Sequence, residues 1–159
     1  MDLVVRGGLV VTASSTYQAD IGIEGDRIVS IGRSLSAPIV LDATDKYVLP
    51  GAIAPHVHME LPLGDLTSSD TFATGSIAAA CGGVTTVIDF ATQFAGQDMH
   101  SALAARQAEV GRLAQIDYGL HMMLTVLPEA DAELEAWMAD LLAAGINSIK
   151  VYTTYRPNY

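Results

Sequence analysis

Cysteine, basic residues and long apolar runs are all scarce in this 159-residue sequence. It has one cysteine and eight basic residues, and no apolar run reaches the roughly 18 residues of a membrane span. A single thiol cannot form an internal disulfide, which is typical of a reducing compartment. The surroundings of this thiol, AAACGGVTT, predict that Cys81 is a small buried side chain. The scattered basic residues argue against a nucleic-acid partner, because phosphate binding needs concentrated Lys and Arg.

The remaining composition is that of a folded protein with a substantial core. Half of the residues are hydrophobic, 16% are charged, and the net charge is −10. The N-terminal stretch MDLVVRGGLVV is too short and too acidic for a signal peptide. An acidic surface favours solubility. We therefore expect a soluble cytoplasmic protein with no membrane role.

The first fifty residues are predicted to form a small antiparallel β region. Two stretches rich in valine and isoleucine, LVVRGGLVVT and ADIGIEGDRIVSIG, are interrupted by glycine. Glu24-Gly25-Asp26-Arg27 has the composition of a tight turn between two strands. The segment IVLDATDKYVLPG predicts a further pair of strands.

From residue 51 onward, strand-like and helix-like segments alternate. AIAPHVHM precedes the helix-like SSDTFATGSIAAACGG, for which Ser69 or Asp70 is the predicted N-cap and Gly82 the predicted end. A strand VTTVIDFA, a helix starting near Asp98 and a strand IDYGLHMMLTVL follow. A third helix, PEADAELEAWMADLLAAG, stops at Gly145 before the strand SIKVYTT. Its buried face is predicted to contain Ala130, Leu134, Trp137, Met138, Leu141 and Leu142.

This alternation indicates an α/β fold with parallel strands. Two architectures fit, an open doubly wound sheet or the start of a (β/α)8 barrel. No G-x-G-x-x-G motif follows the first strand of the region, which disfavours a dinucleotide-binding fold. A complete barrel needs about 250 residues, so residues 51–159 would supply only its first part.

The stretch GAIAPHVHMELP contains two of the four histidines. His56 and His58 are separated by Val57, and residues i and i+2 of a strand share a face. Two imidazoles at this spacing can bind Zn²⁺, although a catalytic site needs further ligands. The alternative is two ordinary strand histidines. The other two are predicted not to be ligands: His100, at a helix start, is solvated, and His121 is packed in the core.

Lys150 is one of only two lysines, the other being Lys46. It lies in SIKVY, with Ile149 and Val151 on the opposite face of the strand. A lysine that points into a barrel is costly unless it is neutral or paired. A free amine can react with CO2 to form a carbamate, which can bridge two metal ions. The alternative is a strand-end lysine that extends to solvent.

The combination of P-G-x-x-x-P-H-x-H with the later S-x-K-V-x-x-x-Y resembles the N-terminal part of the hydantoinase/dihydropyrimidinase family, in the amidohydrolase superfamily. The resemblance spans the whole chain. It implies a (β/α)8 barrel and a small β-sandwich built from both chain ends. Residues 1–50 would be the N-terminal share of that sandwich, and residues 51–159 the first four βα strands of an incomplete barrel.

The resemblance also implies a chemistry and its residues. His56 and His58 would bind the more buried of two divalent metal ions, usually zinc, and a carboxylated Lys150 would bridge the two. Tyr155 would hydrogen-bond the carbonyl oxygen as it becomes an oxyanion. A metal-bridging hydroxide would open a cyclic amide bond, because metal binding lowers the pKa of water.

Loops 61–70 and 152–159 would form an apolar gate around the substrate, with Leu61, Leu63, Leu66, Tyr152 and Tyr159 as its walls. The segment MELPLG is apolar and lacks the arginine that binds substrate in dihydroorotases. This favours a neutral cyclic ureide or imide, such as a hydantoin or a dihydropyrimidine. Family members are commonly tetramers, so a homotetramer is expected for the full-length protein.

Two departures from the family pattern matter. Ala54 stands where family members usually carry aspartate, and loss of a supporting carboxylate typically costs about 10- to 100-fold in affinity or activity. The family's two later histidines and its catalytic aspartate lie on strands beyond Tyr159. We therefore predict that the 159-residue chain alone is inactive. The alternatives are a non-enzymatic interaction protein of the same fold and a truncated product without function.

Overall fold

In the computed structural model, which describes residues 1–94 and 96–152, the chain divides after Pro50 into two units, Met1–Pro50 and Gly51–Tyr159. Each unit has its own cluster of buried apolar side chains. Within the described ranges, no helix has the length and apolarity needed to cross a membrane.

Five strands form the sheet of the first unit: β1 Leu3–Val11, β2 Thr16–Glu24, β3 Arg27–Gly32, β4 Ile39–Asp42 and β5 Tyr47–Val48. The order is β3-β2-β1-β4, and β5 also pairs with β1. The predicted turn is confirmed, because Glu24 pairs with Arg27 across a two-residue hairpin loop in which Gly25 has φ +58°. That left-handed conformation is accessible to glycine at little steric cost.

The first sheet is mixed, so the prediction of a purely antiparallel region is wrong for its last two strands. Both β4 and β5 run parallel to β1 instead of pairing with each other. The pairing of β1 with β2 has a register shift between Val5 and Gly8. Gly7 has φ +74° there, and its amide donates to a carboxylate oxygen of Asp20 at 2.9 Å. A side chain at Gly8 would collide with Val48 of β5.

The second unit alternates strands and helices: β6 Ala52–Ala54, β7 Pro62–Leu63, β8 Leu66–Thr67, α1 Phe72–Cys81, β9 Val84–Thr92, α2 Met99–Leu113, β10 Asp117–Met123, α3 Asp131–Ala143 and β11 Ile149–Lys150. Four of its strands form a curled parallel sheet in the order β11-β10-β9-β6. Each new strand is therefore added beside the previous one, whereas a doubly wound sheet reverses its order midway. This is the strand order of half a barrel, and the described residues do not close it.

The core of this unit lies between the sheet and its helices. Val87, Ala91, Leu120 and Met122 point outward from β9 and β10 and are almost completely buried. They pack with apolar residues of the helices, among them Phe72, Met99, Leu103, Val110 and Leu141. Phe90 of β9 and His121 of β10, which are paired neighbours, lie on the opposite face of the sheet.

The helix ends follow the predicted capping chemistry with one change. As predicted, α1 ends at Gly82 and α2 begins near Asp98, whose carboxylate accepts from the Ser101 amide. The N-cap of α1 is Thr71 instead of Ser69 or Asp70, so that prediction is wrong. The hydroxyl of Thr71 accepts from the amide of Thr74, and the hydroxyl of Thr74 accepts from the amide of Thr71. This reciprocal pairing places the first helical turn one residue later.

Three burial predictions for helix residues are also wrong. Ala130, predicted on the buried face of the third helix, is exposed, because it lies at the N-cap before the first turn of α3. Cys81 is exposed, because the buried side of α1 runs through Phe72 and Ser76 and does not reach the last residue of the helix. Leu142 is 65% exposed, whereas Leu141 is the residue near the end of α3 that is buried.

Candidate metal centre

The histidine pair follows the first strand of the parallel sheet in an extended segment. β6 ends at Ala54, but the chain stays alongside β9, because the Val57 amide donates to the Ile88 carbonyl at 3.1 Å. Extended backbone places side chains two residues apart on the same side. His56 and His58 project together accordingly, with 5.0 Å between their ring centroids.

The two rings meet through their Nε2 atoms, which lie 3.1 Å apart. Without a cation, one Nε2 carries a proton and donates it to the other. Two nitrogens bound to one tetrahedral zinc at ordinary bond lengths lie about 3.3 Å apart. The donor type and the separation of His56 and His58 therefore fit a chelating pair for one divalent ion.

The Phe90 ring, from β9, is the surface on which the predicted ligands assemble. It stacks on His58 with 4.6 Å between centroids and lies 4.9 Å from the centroid of His56. The amine nitrogen of Lys150, from β11, lies 4.4 Å from the same centroid. The parallel sheet thus brings together the three residues that the sequence analysis predicts as metal ligands.

His58 is the more enclosed histidine of the pair. It is half-buried, and its Nδ1 is buried with no hydrogen-bond partner in the part of the chain that the structure describes. Burial lowers the pKa of His58 below its ordinary value, and the charge of Lys150 lowers it further. Asp89 acts in the opposite direction. The net effect favours the neutral imidazole, which is the form that binds metal ions.

Lys150 is half-buried at the end of the described part of its strand, and its amine nitrogen also lies 5.1 Å from the Tyr152 ring centroid. Tyr152 is half-buried as well. Tyr155 and Tyr159, predicted as the oxyanion donor and as a gate residue, lie outside the described residues.

The predicted gate leucines occupy different positions. Leu61 lines a cleft of about 540 Å³, together with Phe90 and one side of α2. Leu63 and Leu66 pair with each other across the β7–β8 hairpin, and their side chains are exposed. The structure therefore places Leu61 at the cleft and the other two leucines at the hairpin tip.

The remaining histidines behave differently from each other. His100 is exposed, as predicted, and pairs with Asp140 at 2.9 Å. His121 is half-buried beside the Phe90 ring, so the prediction of a core position is wrong. Its Nε2 hydrogen-bonds the Pro55 carbonyl at 2.9 Å, and its Nδ1 meets the Ser148 hydroxyl.

The sequence analysis did not single out the buried ion pair next to the site. Asp89 Oδ1 and Arg106 Nη2 lie 2.8 Å apart, and both residues hydrogen-bond the backbone of Met59, directly after His58. An aspartate within the apolar stretch VTTVIDFA was the available signal, because a buried carboxylate needs a partner.

Among the residues that the structure describes, no three or more histidine, cysteine, aspartate or glutamate side chains form a group that could hold a metal ion. The described part of the site offers two imidazoles and one amine. A complete metal shell would need donors beyond these.

Comparisons with known proteins confirm the resemblance drawn from the motifs. The chain is 40% identical over 157 residues to the D-hydantoinase of Ralstonia pickettii, covering 98% of this chain and 34% of the relative. It is 33% identical over 164 residues to the dihydropyrimidinase of Rattus norvegicus, covering 99% and 31%. No family model matches the chain.

Solved structures show the same similarity. The dihydropyrimidinase from Brevibacillus agri matches with a TM-score of 0.89 and 42% identity, over 98% of this chain and 34% of that one. The similarity covers both units of the chain. In each comparison, the chain spans about a third of the length of the relative that it matches.

Proposed function

We propose that this chain is the N-terminal part of a metal-dependent hydrolase that opens the cyclic amide bond of hydantoins and dihydropyrimidines. The observation that carries the proposal is the 3.1 Å separation of the His56 and His58 Nε2 atoms. Lys150 lies on the same aromatic ring, close to this pair. The similarity to D-hydantoinases and dihydropyrimidinases supports the class of reaction.

In this proposal, the described residues supply part of the ligand shell of two divalent ions, most simply zinc. His56 and His58 bind one ion through Nε2. The Lys150 amine would react with CO2, forming an N–C bond and releasing one proton to solvent, and the resulting carbamate would be a carboxylate-type metal ligand. Bound divalent ions lower the pKa of water and polarise a carbonyl. Tyr155 would donate to the developing oxyanion, and removing one such donor costs about 10²- to 10³-fold in kcat.

The arginine-free segment after the histidine pair favours an uncharged substrate. Leu61 and Phe90 give the cleft beside the site apolar walls, and no arginine follows the histidine pair within MELPLG. Arg106 and Arg112 also line the cleft, and Arg106 is already paired with Asp89 and Glu109 at 2.8 and 2.7 Å, so the preference for a neutral substrate rests on the segment MELPLG. A neutral cyclic ureide or imide therefore fits better than an acidic one. The homotetramer and the cytoplasmic location remain part of the same proposal.

We further propose that the 159-residue chain is inactive by itself. The described residues provide two imidazoles and one amine, and the chain spans about a third of its relatives. This leaves an inactive truncated product as a second candidate. A non-enzymatic interaction protein is disfavoured, because this chain retains both the histidine pair and the lysine.

A chimera tests the proposal directly. Residues 1–159 are joined to the remaining two-thirds of the Ralstonia pickettii D-hydantoinase, in place of the corresponding segment of that enzyme. We expect zinc in the purified chimera and hydrolysis of hydantoin and dihydrouracil, measured by chromatography of the ring-opened products. His56→Ala and Lys150→Ala should abolish the activity, whereas His100→Ala, which changes an exposed histidine, should not.

Chemical rescue separates the carbamate from a purely structural lysine. A short carboxylic acid such as acetate or propionate should restore part of the Lys150→Ala activity, because it supplies the missing carboxylate. A well-folded chimera that binds zinc but hydrolyses neither substrate would contradict the proposal.

A further inference from the structure

The backbone directly after the histidine pair is held by two side chains from other elements. The Met59 amide donates to Asp89 Oδ2 at 2.9 Å, and the Met59 carbonyl accepts from Arg106 Nη2 at 2.5 Å. Asp89 lies on β9 and Arg106 on α2. Both backbone groups of the residue that follows His58 are therefore bound by side chains instead of a neighbouring strand.

These two side chains also bind each other in a buried setting. Asp89 is 1% exposed and Arg106 is 13% exposed, with 2.8 Å between Oδ1 and Nη2. The Arg106 guanidinium lies 4.4 Å above the Phe72 ring centroid. A buried ion pair is often no more stabilising than apolar side chains of similar volume. Its presence beside the metal-facing histidines is therefore better explained by positioning than by stability.

The backbone directly before the pair is held by His121, from β10. A carbonyl oxygen can only accept, so the contact at 2.9 Å to the Pro55 carbonyl requires a proton on His121 Nε2. Nδ1 then accepts from the Ser148 hydroxyl. Because both of its nitrogens are engaged, His121 is not available as a ligand, although it lies against the same Phe90 ring.

We infer that Asp89, Arg106 and His121, together called the peptide clamp, hold the backbone on both sides of His56 and His58 and so fix the distance between the two Nε2 atoms. They are positioning residues, and the inference rests on the proposed function. Residues that orient ligands typically change metal affinity by about 10- to 100-fold when they are replaced. The clamp binds backbone groups of Pro55 and Met59 instead of the imidazoles. Its three residues are distant in sequence from His56 and His58, so no local motif reveals them.

Zinc titration of the 159-residue chain by calorimetry tests the clamp. The double variant Asp89→Asn with Arg106→Met removes the bond to the Met59 carbonyl without leaving an unpaired buried charge. His121→Leu removes the other arm, and His121→Gln restores a donor of similar reach. We expect about tenfold weaker zinc binding or more for the double variant and for His121→Leu, and partial recovery for His121→Gln.

Matched controls separate positioning from stability. Arg27→Met changes an exposed arginine of the first unit and should leave zinc binding unchanged. Val110→Ala removes buried methyl groups from α2, so it should lower the melting temperature without lowering the zinc affinity of the folded chain. Zinc affinity that tracks melting temperature across all variants would overturn the inference.

Imidazole nitrogen NMR gives a second readout that needs no metal. The clamp variants should shift the ring-nitrogen signals of His56 and His58, whereas the His100 signals stay in place. If the unaltered chain binds no zinc, these spectra alone decide the clamp, and the proposed function is decided by the zinc content and activity of the chimera. If the chain binds zinc and the clamp variants bind it as tightly with unchanged spectra, the clamp is wrong and the proposed function stands.

Discussion

The Nε2 atoms of His56 and His58 lie 3.1 Å apart over the face of one aromatic ring. His56 is exposed and His58 is half-buried, so the pair is open on one side. This asymmetry matters because an ion bound between the two atoms would be reached from the exposed side and held against the enclosed one.

Removal of either histidine should remove the metal. His56→Ala and His58→Ala each leave a single imidazole, which cannot chelate the ion, and both variants of the chimera should lose zinc that the unaltered chimera retains through dialysis. The measurement is zinc per chain by mass spectrometry of the metal. His100→Ala should retain the metal, and equal loss in all three variants would indicate adventitious binding instead.

Lys150 should carry a carbamate when metal and CO2 are present. Equilibration with ¹³C-bicarbonate and zinc should give a carbamate carbon signal in the NMR spectrum that disappears in Lys150→Arg. Lys46→Arg, which changes the only other lysine, should leave the signal intact. A signal that survives Lys150→Arg would assign the carbamate to another amine and contradict the predicted ligand.

A methyl group at Gly51 should displace the strand that leads to the histidines. A Cβ there would lie 2.7 Å from the Thr85 Cβ and closer still to other atoms of that side chain. Gly51→Ala should therefore lower the free energy of unfolding by about 1–3 kcal/mol and weaken zinc binding. Chemical denaturation measures the first effect. Adding Thr85→Gly should recover zinc affinity, and no recovery would show that the collision is not the cause.

Acid should destabilise the first unit through Asp20. Hydrogen bonding from the Gly7 amide lowers the pKa of Asp20 below its ordinary value of 3.8; burial opposes this and the Leu35 amide adds to it. A carboxylate whose pKa is lower in the folded state stabilises the fold above its unfolded pKa. That contribution is lost as the pH falls through the folded pKa.

Denaturation midpoints should therefore fall steeply below about pH 4 in the unaltered chain and less steeply in Asp20→Asn. Asp26→Asn, at the exposed hairpin turn, is the matched control and should follow the unaltered chain. Identical acid profiles for Asp20→Asn and the unaltered chain would contradict the prediction.

Local features of the fold were predictable because they depend on neighbouring residues. The hairpin turn at Gly25 and the cap at Asp98 come from side-chain and backbone chemistry within a few positions. Burial at helix ends was less predictable. Cys81 and Leu142 are as apolar as their buried neighbours, and only the direction of the helix relative to the sheet exposes them.

The parallel pairing of β4 and β5 with β1 was also beyond the sequence. Two short strands in succession normally suggest a hairpin. Here both strands align along β1, and Val48 of β5 packs so close to Gly8 that a side chain at that position would collide with it. The local sequence of a strand predicts its extended backbone. Which strand it pairs with depends on contacts between residues that are distant in sequence.

By itself, the sequence determined that His56 and His58 share one side of an extended segment, since that follows from the two-residue period of the backbone. It also determined the α/β alternation and the motifs that mark the resemblance. Only the tertiary structure decided that Phe90, Lys150 and His121 lie next to the pair, and that Asp89 and Arg106 hold its backbone. Those contacts join separate strands and a helix, so they depend on strand order and side-chain packing, which no local pattern records.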